Sequence, residues 1–243
     1  MAMPQHPEAR PEREREVAPT PLLAGVMGGF TLASFIGLGA VVLAIIGLAG
    51  GLPFYMAAVG MIVVGASMLF AASAFTASAA AVLPVSAERR PLLSLAVPTG
   101  AGAWVLGGVA ALVLSILSLF FTGSIAWVAA GGVGAALGLL LGGGWARTRL
   151  PGLGAPHTRA AWFPGDYGRG ADLWAGIVAL VTALLAAPIV GGLLTGTLTG
   201  RAAAVGTTAS LSLVLVSVLV LGASLFVSGM QRAWAYRSVQ AQL

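Results

Sequence analysis

The chain has 243 residues, of which 58 % are hydrophobic and only 8 % are charged, and its formal net charge is +5. A core of this size cannot hide so much apolar surface from water, so the composition excludes a soluble domain and predicts an integral membrane protein. The basic residues are all arginines, which are typical of segments that flank membrane spans and do not indicate nucleic-acid binding. The absence of cysteine excludes disulfides and thiolate chemistry.

Residues 1–21 contain five prolines and a run of alternating glutamate and arginine. This composition predicts a flexible polar tail and does not have the pattern of a signal peptide. Two apolar helices are expected next, near residues 22–48 and 54–82. Gly50, Gly51 and Pro53 supply the break between them, so the two helices form a hairpin that crosses the membrane twice.

Two further hairpins follow the first. The third and fourth helices are predicted near residues 103–121 and 125–145, the fifth from about 173 into the 190s with a kink or early end at Pro188, and the sixth near 205–230. The expected fold class is therefore all-α, with six transmembrane helices arranged as hairpins at about 22–82, 103–145 and 173–230 within a membrane domain of residues 22–230. A polar connection at 84–100, a loop at 147–172 and a tail at 231–243 complete the chain.

The distribution of arginine predicts the orientation in the membrane. The N-terminal tail, the segments 84–100 and 147–172, and the C-terminal tail together carry 11 of the 12 arginines, and only Arg201 lies on the opposite side. Cytoplasmic segments retain positive charge during insertion, so both termini are expected in the cytoplasm. The predicted location is the bacterial cytoplasmic (inner) membrane.

The hairpins resemble one another and also resemble a known family. Leu38-Gly39 through Ser67 can be laid over Leu106-Gly107 through Ala136, and Trp104 and Trp174 each stand at the start of a hairpin. The unit GLGAVVLAIIGLAGGLPFYMAAVGMIVVGASMLF from Gly37, with Trp104-Val105-Leu106-Gly107-Gly108 and Trp174-Ala175-Gly176-Ile177, is similar to the HdeD-type acid-resistance membrane proteins. This resemblance implies six spans and a stress-related role, and it supplies no catalytic residues.

The predicted spans contain no ionisable residue, and both histidines, His6 and His157, fall in polar segments. We therefore expect no catalytic residue, no cofactor and no metal site, and the protein is not expected to be an enzyme. Proton-coupled transport is disfavoured for the same reason. A transporter or channel for a small neutral solute remains the alternative, because backbone groups of broken helices can bind substrate without charged side chains.

The string WFPGDYGRGADLW, residues 162–174, is the most distinctive polar segment. An enzyme could use Asp166 and Asp172 as general acid and base or as cation ligands, but an interfacial loop in which Asp172 caps the fifth helix explains the same residues. Exposed aromatic residues beside arginine suit a partner or lipid interface. The candidate residues for that interface are Trp162, Phe163, Asp166, Tyr167, Arg169, Arg147 and Arg149.

Gly134, Gly138 and Gly142 form a GxxxGxxxG row and are the candidate helix-packing face, since glycines at this spacing let two helices approach closely. The sequence thus predicts a non-enzymatic membrane protein with a structural or interaction role. It is either an HdeD-like homo-oligomer or an accessory subunit of a larger membrane complex, so the expected partners are membrane lipids and other membrane subunits or further copies of the chain.

Overall fold

The computed structural model describes residues 21–82, 98–121, 125–149 and 165–240. They form the helices α1 (Pro21–Leu48), α2 (Pro53–Val82), α3 (Pro98–Phe120), α4 (Ile125–Arg149), α5 (Gly165–Leu194) and α6 (Gly200–Gln240), and these ranges contain no strand. Each helix includes an apolar stretch of at least 18 residues, long enough to cross a membrane. The prediction of an all-helical protein with six potential membrane spans is confirmed.

The ends of the helices differ from the sequence prediction. The segment 147–172 was expected to be a loop, but α4 continues to Arg149 and α5 already begins at Gly165. Pro188 lies inside α5 and does not end it. Polar and glycine-rich residues at a helix end disturb the apolar pattern without breaking the helix, which explains why the prediction placed these boundaries too close to the apolar runs.

The turn between α1 and α2 combines two residues with left-handed backbone. Gly50 has a φ of +95° and Leu52 has a φ of +46°. The carbonyl of Leu52 accepts a hydrogen bond from the amide of Met56 at 3.1 Å, so Leu52 forms the start of α2 directly before Pro53. The break predicted from Gly50, Gly51 and Pro53 lies at this turn.

The six helices form an inner and an outer set. The helices follow one another around a ring in chain order, and α6 contacts α1 to close it. Each of the outer helices α1, α3 and α5 contacts only its two neighbours in this ring. Each of the inner helices α2, α4 and α6 contacts its two neighbours and also the other two inner helices. The buried core that the inner helices share contains Met61, Met68, Leu139, Val218 and Leu221. The centre of the bundle is thus filled with apolar side chains.

The buried positions recur with the same spacing in each outer helix. Adding 71 to the numbers of the buried residues of α1 gives buried residues of α3, and adding a further 68 gives buried residues of α5. The coinciding positions are 33, 37, 40, 44 and 47 in α1, 104, 108, 111, 115 and 118 in α3, and 172, 176, 179, 183 and 186 in α5. One of these positions is glycine in all three helices (Gly37, Gly108, Gly176) and the next is alanine (Ala40, Ala111, Ala179).

The inner helices show the same regularity, and so do the contacts between helix pairs. Positions 57, 58, 61, 64, 65 and 68 of α2 correspond to 128, 129, 132, 135, 136 and 139 of α4 and to 214, 215, 218, 221, 222 and 225 of α6. Each pair touches the next at equivalent positions. A Cβ added at Gly108 would lie 2.9 Å from the carbonyl oxygen of Gly65, one added at Gly176 would lie 3.2 Å from that of Ala136, and one added at Gly37 would lie 2.9 Å from that of Gly222.

This register corrects the alignment made from the sequence. Laying Leu38 on Leu106 implies a shift of 68 residues between the first two pairs, whereas the buried faces coincide at a shift of 71. The difference is close to one helical turn, over which a sequence dominated by alanine, glycine and leucine matches itself almost equally well. Trp104 corresponds to Asp172 and not to Trp174, which is exposed.

Candidate functional site

One end of the bundle contains a charged cluster. The starts of α1, α3 and α5 and the ends of α2, α4 and α6 meet there, as contacts such as those of Gly29 with Ala74 and of Gly176 with Leu140 show. Asp172 of α5 and Arg232 of α6 lie at this end. Helix α5 positions Asp172 and helix α6 positions Arg232, and both residues belong to the candidate membrane spans of these helices.

Asp172 is fully buried, with 0 % of its surface exposed. Its Oδ2 accepts a hydrogen bond from Nη2 of Arg232 at 2.7 Å, and its Oδ1 accepts one from Oγ of Ser224, also at 2.7 Å. Both oxygens of the carboxylate are therefore bonded to α6. The side chain of Arg232 is 22 % exposed, so the pair is open to its surroundings on the arginine side only.

Two aromatic rings cover the guanidinium of Arg232. Its Cζ lies 5.1 Å from the ring centroid of Trp104 on α3 and 5.8 Å from that of Phe30 on α1. At these distances the negative face of an aromatic ring attracts a cation. Arg232 of α6 is thus in contact with α1, α3 and α5, and this one side chain joins all three outer helices at the same end of the bundle.

The arrangement suits a fixed ion pair more than a reactive group. The carboxylate and the guanidinium neutralise each other, and the hydroxyl of Ser224 satisfies the second carboxylate oxygen. Ser228, one turn from both Ser224 and Arg232, has a buried Oγ with no hydrogen-bond partner among the residues that the structure describes, and the same is true of Oε1 of Gln231. This end of α6 is therefore polar along one face.

A second polar contact joins α5 and α6 deeper in the bundle. The hydroxyls of Thr182 and Ser217 lie 2.5 Å apart, and Thr182 also donates to the carbonyls of Val178 and Ala179. Between α1 and α2 a polar contact is made by Ser67, whose Oγ donates to the carbonyl oxygen of Ala33 at 2.7 Å. Hydrogen bonds of this kind add to the packing of apolar helices.

The sequence prediction missed this cluster. The spans were expected to contain no ionisable residue, but Asp172, Arg201 and Arg232 lie at the ends of the candidate spans Asp172–Leu193 and Gly200–Trp234 of α5 and α6. Asp172 was expected to cap the fifth helix, but it is the eighth residue of α5 and faces α6. The sequence carries one signal of the cluster, because Ser224, Ser228 and Arg232 follow one another at intervals of four and therefore share a face of a helix.

The structure describes some of the candidate interface residues and not others. Trp162 and Phe163 lie outside the described residues. Arg147 and Arg149 belong to the end of α4, and Asp166, Tyr167 and Arg169 belong to the first two turns of α5, at the same end of the bundle as the Asp172–Arg232 pair. The structure describes the backbone of these five residues and not their side chains.

The candidate packing face on α4 lies against α3. A Cβ added at Gly138 would lie 2.8 Å from the carbonyl oxygen of Ala103, and one added at Gly107 would lie 2.8 Å from the carbonyl oxygen of Gly134. Gly142 is buried one turn further along α4. Gly107 faces α4 while the adjacent Gly108 faces α2, so the glycine pair of α3 allows a close approach on two sides.

Within the ranges that the structure describes, no group of three or more histidine, cysteine, aspartate or glutamate side chains could hold a metal ion. A groove with a volume of about 440 Å³ lies on α6. It is open, almost entirely apolar, and lined by Ala204, Val205, Thr208, Ala209 and Ser212. It lies on the part of α6 that follows Gly200, away from the Asp172–Arg232 pair.

Fold and cluster together define an integral membrane protein with six apolar helices, long enough to span a bilayer, and an ion pair buried between the last two. No family model matches the chain, and neither the curated proteins nor the solved structures that were compared with it include a match.

Proposed function

We propose that this chain is a non-enzymatic protein of the bacterial cytoplasmic membrane, built of three equivalent helix pairs, with a structural or interaction role. The observation that carries the proposal is the interior of the bundle. Its helices approach to backbone contact at Gly37, Gly65 and Gly108, its centre is filled with apolar side chains, and the charges of Asp172 and Arg232 are paired with each other. Such an interior suits a rigid scaffold that presents its polar ends to partners.

Two forms of this role are compatible with the sequence. In the first, the chain is an HdeD-like stress protein that associates with further copies of itself. In the second, it is an accessory subunit of a larger membrane complex. In both, the contacts are made by the candidate interface residues. Arg147, Arg149, Asp166, Tyr167 and Arg169 lie at one end of the bundle, and Trp162 and Phe163, which lie outside the described residues, are candidates from the sequence alone.

Purification of the chain at native expression level, in a polymer that extracts it with its surrounding lipid, tests this proposal. One type of chain in multiple copies supports the first form, and a fixed ratio to other membrane subunits supports the second. Replacing Arg147, Arg149 and Arg169 by glutamine should weaken the association, whereas the matched replacement Arg201→Gln at the other end should leave it unchanged. Recovery of isolated single copies under all conditions would contradict both forms.

In the proposed orientation the end of the bundle that carries Arg147, Arg149 and Arg169 faces the cytoplasm, and both chain termini lie on that side. Reporters fused at Val17 and after Leu243 should be found on the cytoplasmic side of the membrane. A reporter fused within residues 195–199 should be found on the opposite side. A reporter at Val17 found outside would contradict the orientation.

The alternative role, transport of a small neutral solute, needs a polar path through the bundle. The paired hydroxyls of Thr182 and Ser217 are the polar contact between α5 and α6 at which such a path is tested. A water-accessibility scan with single cysteines along this interface distinguishes the two roles, because the chain has no native cysteine. Modification by a water-soluble thiol reagent at positions 179, 182 and 217 would favour transport.

A further inference from the structure

The three equivalent helix pairs make the same contact in different ways. Position 172 of α5 corresponds to Ala33 of α1 and Trp104 of α3, and its partner Ser224 corresponds to Ser67 of α2 and Gly138 of α4. In the first pair the hydroxyl of Ser67 donates to the backbone of Ala33, and in the second Gly138 lies against the backbone of α3 at Ala103. Both contacts are neutral, and only the third pair places a carboxylate here.

The charge is therefore not needed to pack two helices at this position. Two charges removed from water lose hydration, and their attraction barely offsets that loss, so a neutral contact is usually as stable as a buried ion pair or more so. In the first two pairs the equivalent positions are buried without a charge on either side of the contact. An ion pair retained at such a position contributes something that a neutral contact does not.

The helix that carries Asp172 supplies a reason for the ion pair. The seven residues of α5 that precede Asp172 include Gly165, Gly168 and Gly170, and the uncharged apolar run of α5 follows Asp172 in the sequence. Glycine disfavours helix, and helix outside the apolar stretch is not stabilised by the lack of water in lipid. The first two turns of α5 therefore need an external support, and Asp172, the residue that directly follows them, is bonded to α6.

We propose that Asp172 and Arg232 are positioning residues that hold the glycine-rich start of α5, Gly165–Ala171, in helical form against the bundle. Because Asp166, Tyr167 and Arg169 lie on these turns, the pair fixes the surface on which a partner docks, and this last step rests on the proposed function. Arg232 is itself fixed by Trp104 and Phe30, so the support is shared by all three helix pairs.

Hydrogen exchange of the backbone amides, measured by mass spectrometry on the full chain in lipid nanodiscs, tests the proposal without a partner. The test variant is Asp172→Ala with Arg232→Met, which removes both charges together. The amides of the first turn have no intrahelical acceptor, so residues 168–171 report on this part of α5. We expect exchange at residues 168–171 to become at least tenfold faster, while exchange in α1–α4 and the midpoint of thermal unfolding stay close to those of the unchanged protein. The conservative variant Asp172→Glu, which keeps the pair, should retain slow exchange.

The matched control is Thr182→Val with Ser217→Ala, which removes the other polar contact between α5 and α6 and leaves the start of α5 untouched. Its exchange at residues 168–171 should not change. Unchanged exchange at 168–171 in the charge-free variant would overturn the proposal, and so would equally faster exchange along the whole of α5 and α6, because the pair would then support the bundle as a whole. A failure of the proposed function would appear separately, as isolated single copies on native purification.

Discussion

Asp172 and Arg232 are 60 positions apart in the chain, yet Nη2 of the arginine lies 2.7 Å from Oδ2 of the aspartate. The contact joins the start of α5 to the end of α6, and the rings of Trp104 and Phe30 extend it to α3 and α1. Charge is thus concentrated where the helix ends meet, while the centre of the bundle is apolar.

Removing one partner of the pair should be far more harmful than removing both. Asp172→Ala leaves the guanidinium of Arg232 beside two rings without its counter-charge, and we expect a loss of about 3 kcal/mol in the free energy of unfolding. The measurement is denaturation in mixed micelles followed by tryptophan fluorescence. Arg201→Gln is the control, because Arg201 is exposed at the other end, and it should change the same quantity by less than about 0.5 kcal/mol.

The close approach of α2 and α3 gives a second prediction. A Cβ at Gly108 would lie 2.9 Å from the carbonyl oxygen of Gly65, which belongs to the backbone and cannot move aside without moving the helix. Gly108→Ala should therefore destabilise the bundle by about 1–3 kcal/mol, the usual range for overpacking. Gly191→Ala is the matched control, since nothing lies within 4 Å of its added Cβ, and it should leave stability unchanged or raise it slightly. Equal effects of the two substitutions would contradict the packing.

The sequence allowed the six spans to be predicted because runs without charge are long and the breaks contain glycine, proline or polar residues. It did not allow Asp172 and Arg232 to be paired. Both stand at the edges of apolar runs, where the pattern no longer determines whether a residue is in a helix, and their contact depends on which helices are neighbours. For the same reason the spacing of Gly134 and Gly138 indicated a packing face, but the facing residue, Gly107, could be identified only from the fold.

The hydroxyl pair between α5 and α6 gives a third prediction. Thr182→Val and Ser217→Ala each remove one partner of the contact at 2.5 Å. Interhelical hydrogen bonds in membranes have coupling energies of about 0.6 kcal/mol on average and at most about 1.7 kcal/mol. A double-mutant cycle on the free energy of unfolding should return a value in this range. A coupling energy of zero would mean that the two hydroxyls do not interact in the bilayer.

The turn between α1 and α2 should respond to substitution in opposite directions at two positions. Gly50 has a φ of +95°, so Gly50→Ala should destabilise the protein by about 1 kcal/mol or more, since a Cβ is strained in this region. Leu52 has a φ of +46°, and Leu52→Asn should be neutral or stabilising by up to about 1 kcal/mol, because asparagine tolerates left-handed backbone. Thermal unfolding of the two variants measures both effects. A loss of stability in both would contradict this backbone geometry.

The three helix pairs close into one ring around an apolar centre, which brings α6 back against α2. A Cβ added at Gly60 of α2 would lie 3.8 Å from Cβ of Val218 of α6, the separation typical of a disulfide. The chain has no native cysteine, so the double variant Gly60→Cys, Val218→Cys reports on this one contact. We predict that mild oxidation in lipid nanodiscs links the two cysteines within one chain. The control pair Val59→Cys, Val218→Cys should stay unlinked, because Val59 is exposed on the outer side of α2. No link in the first variant, or equal linking in both, would contradict the closed ring.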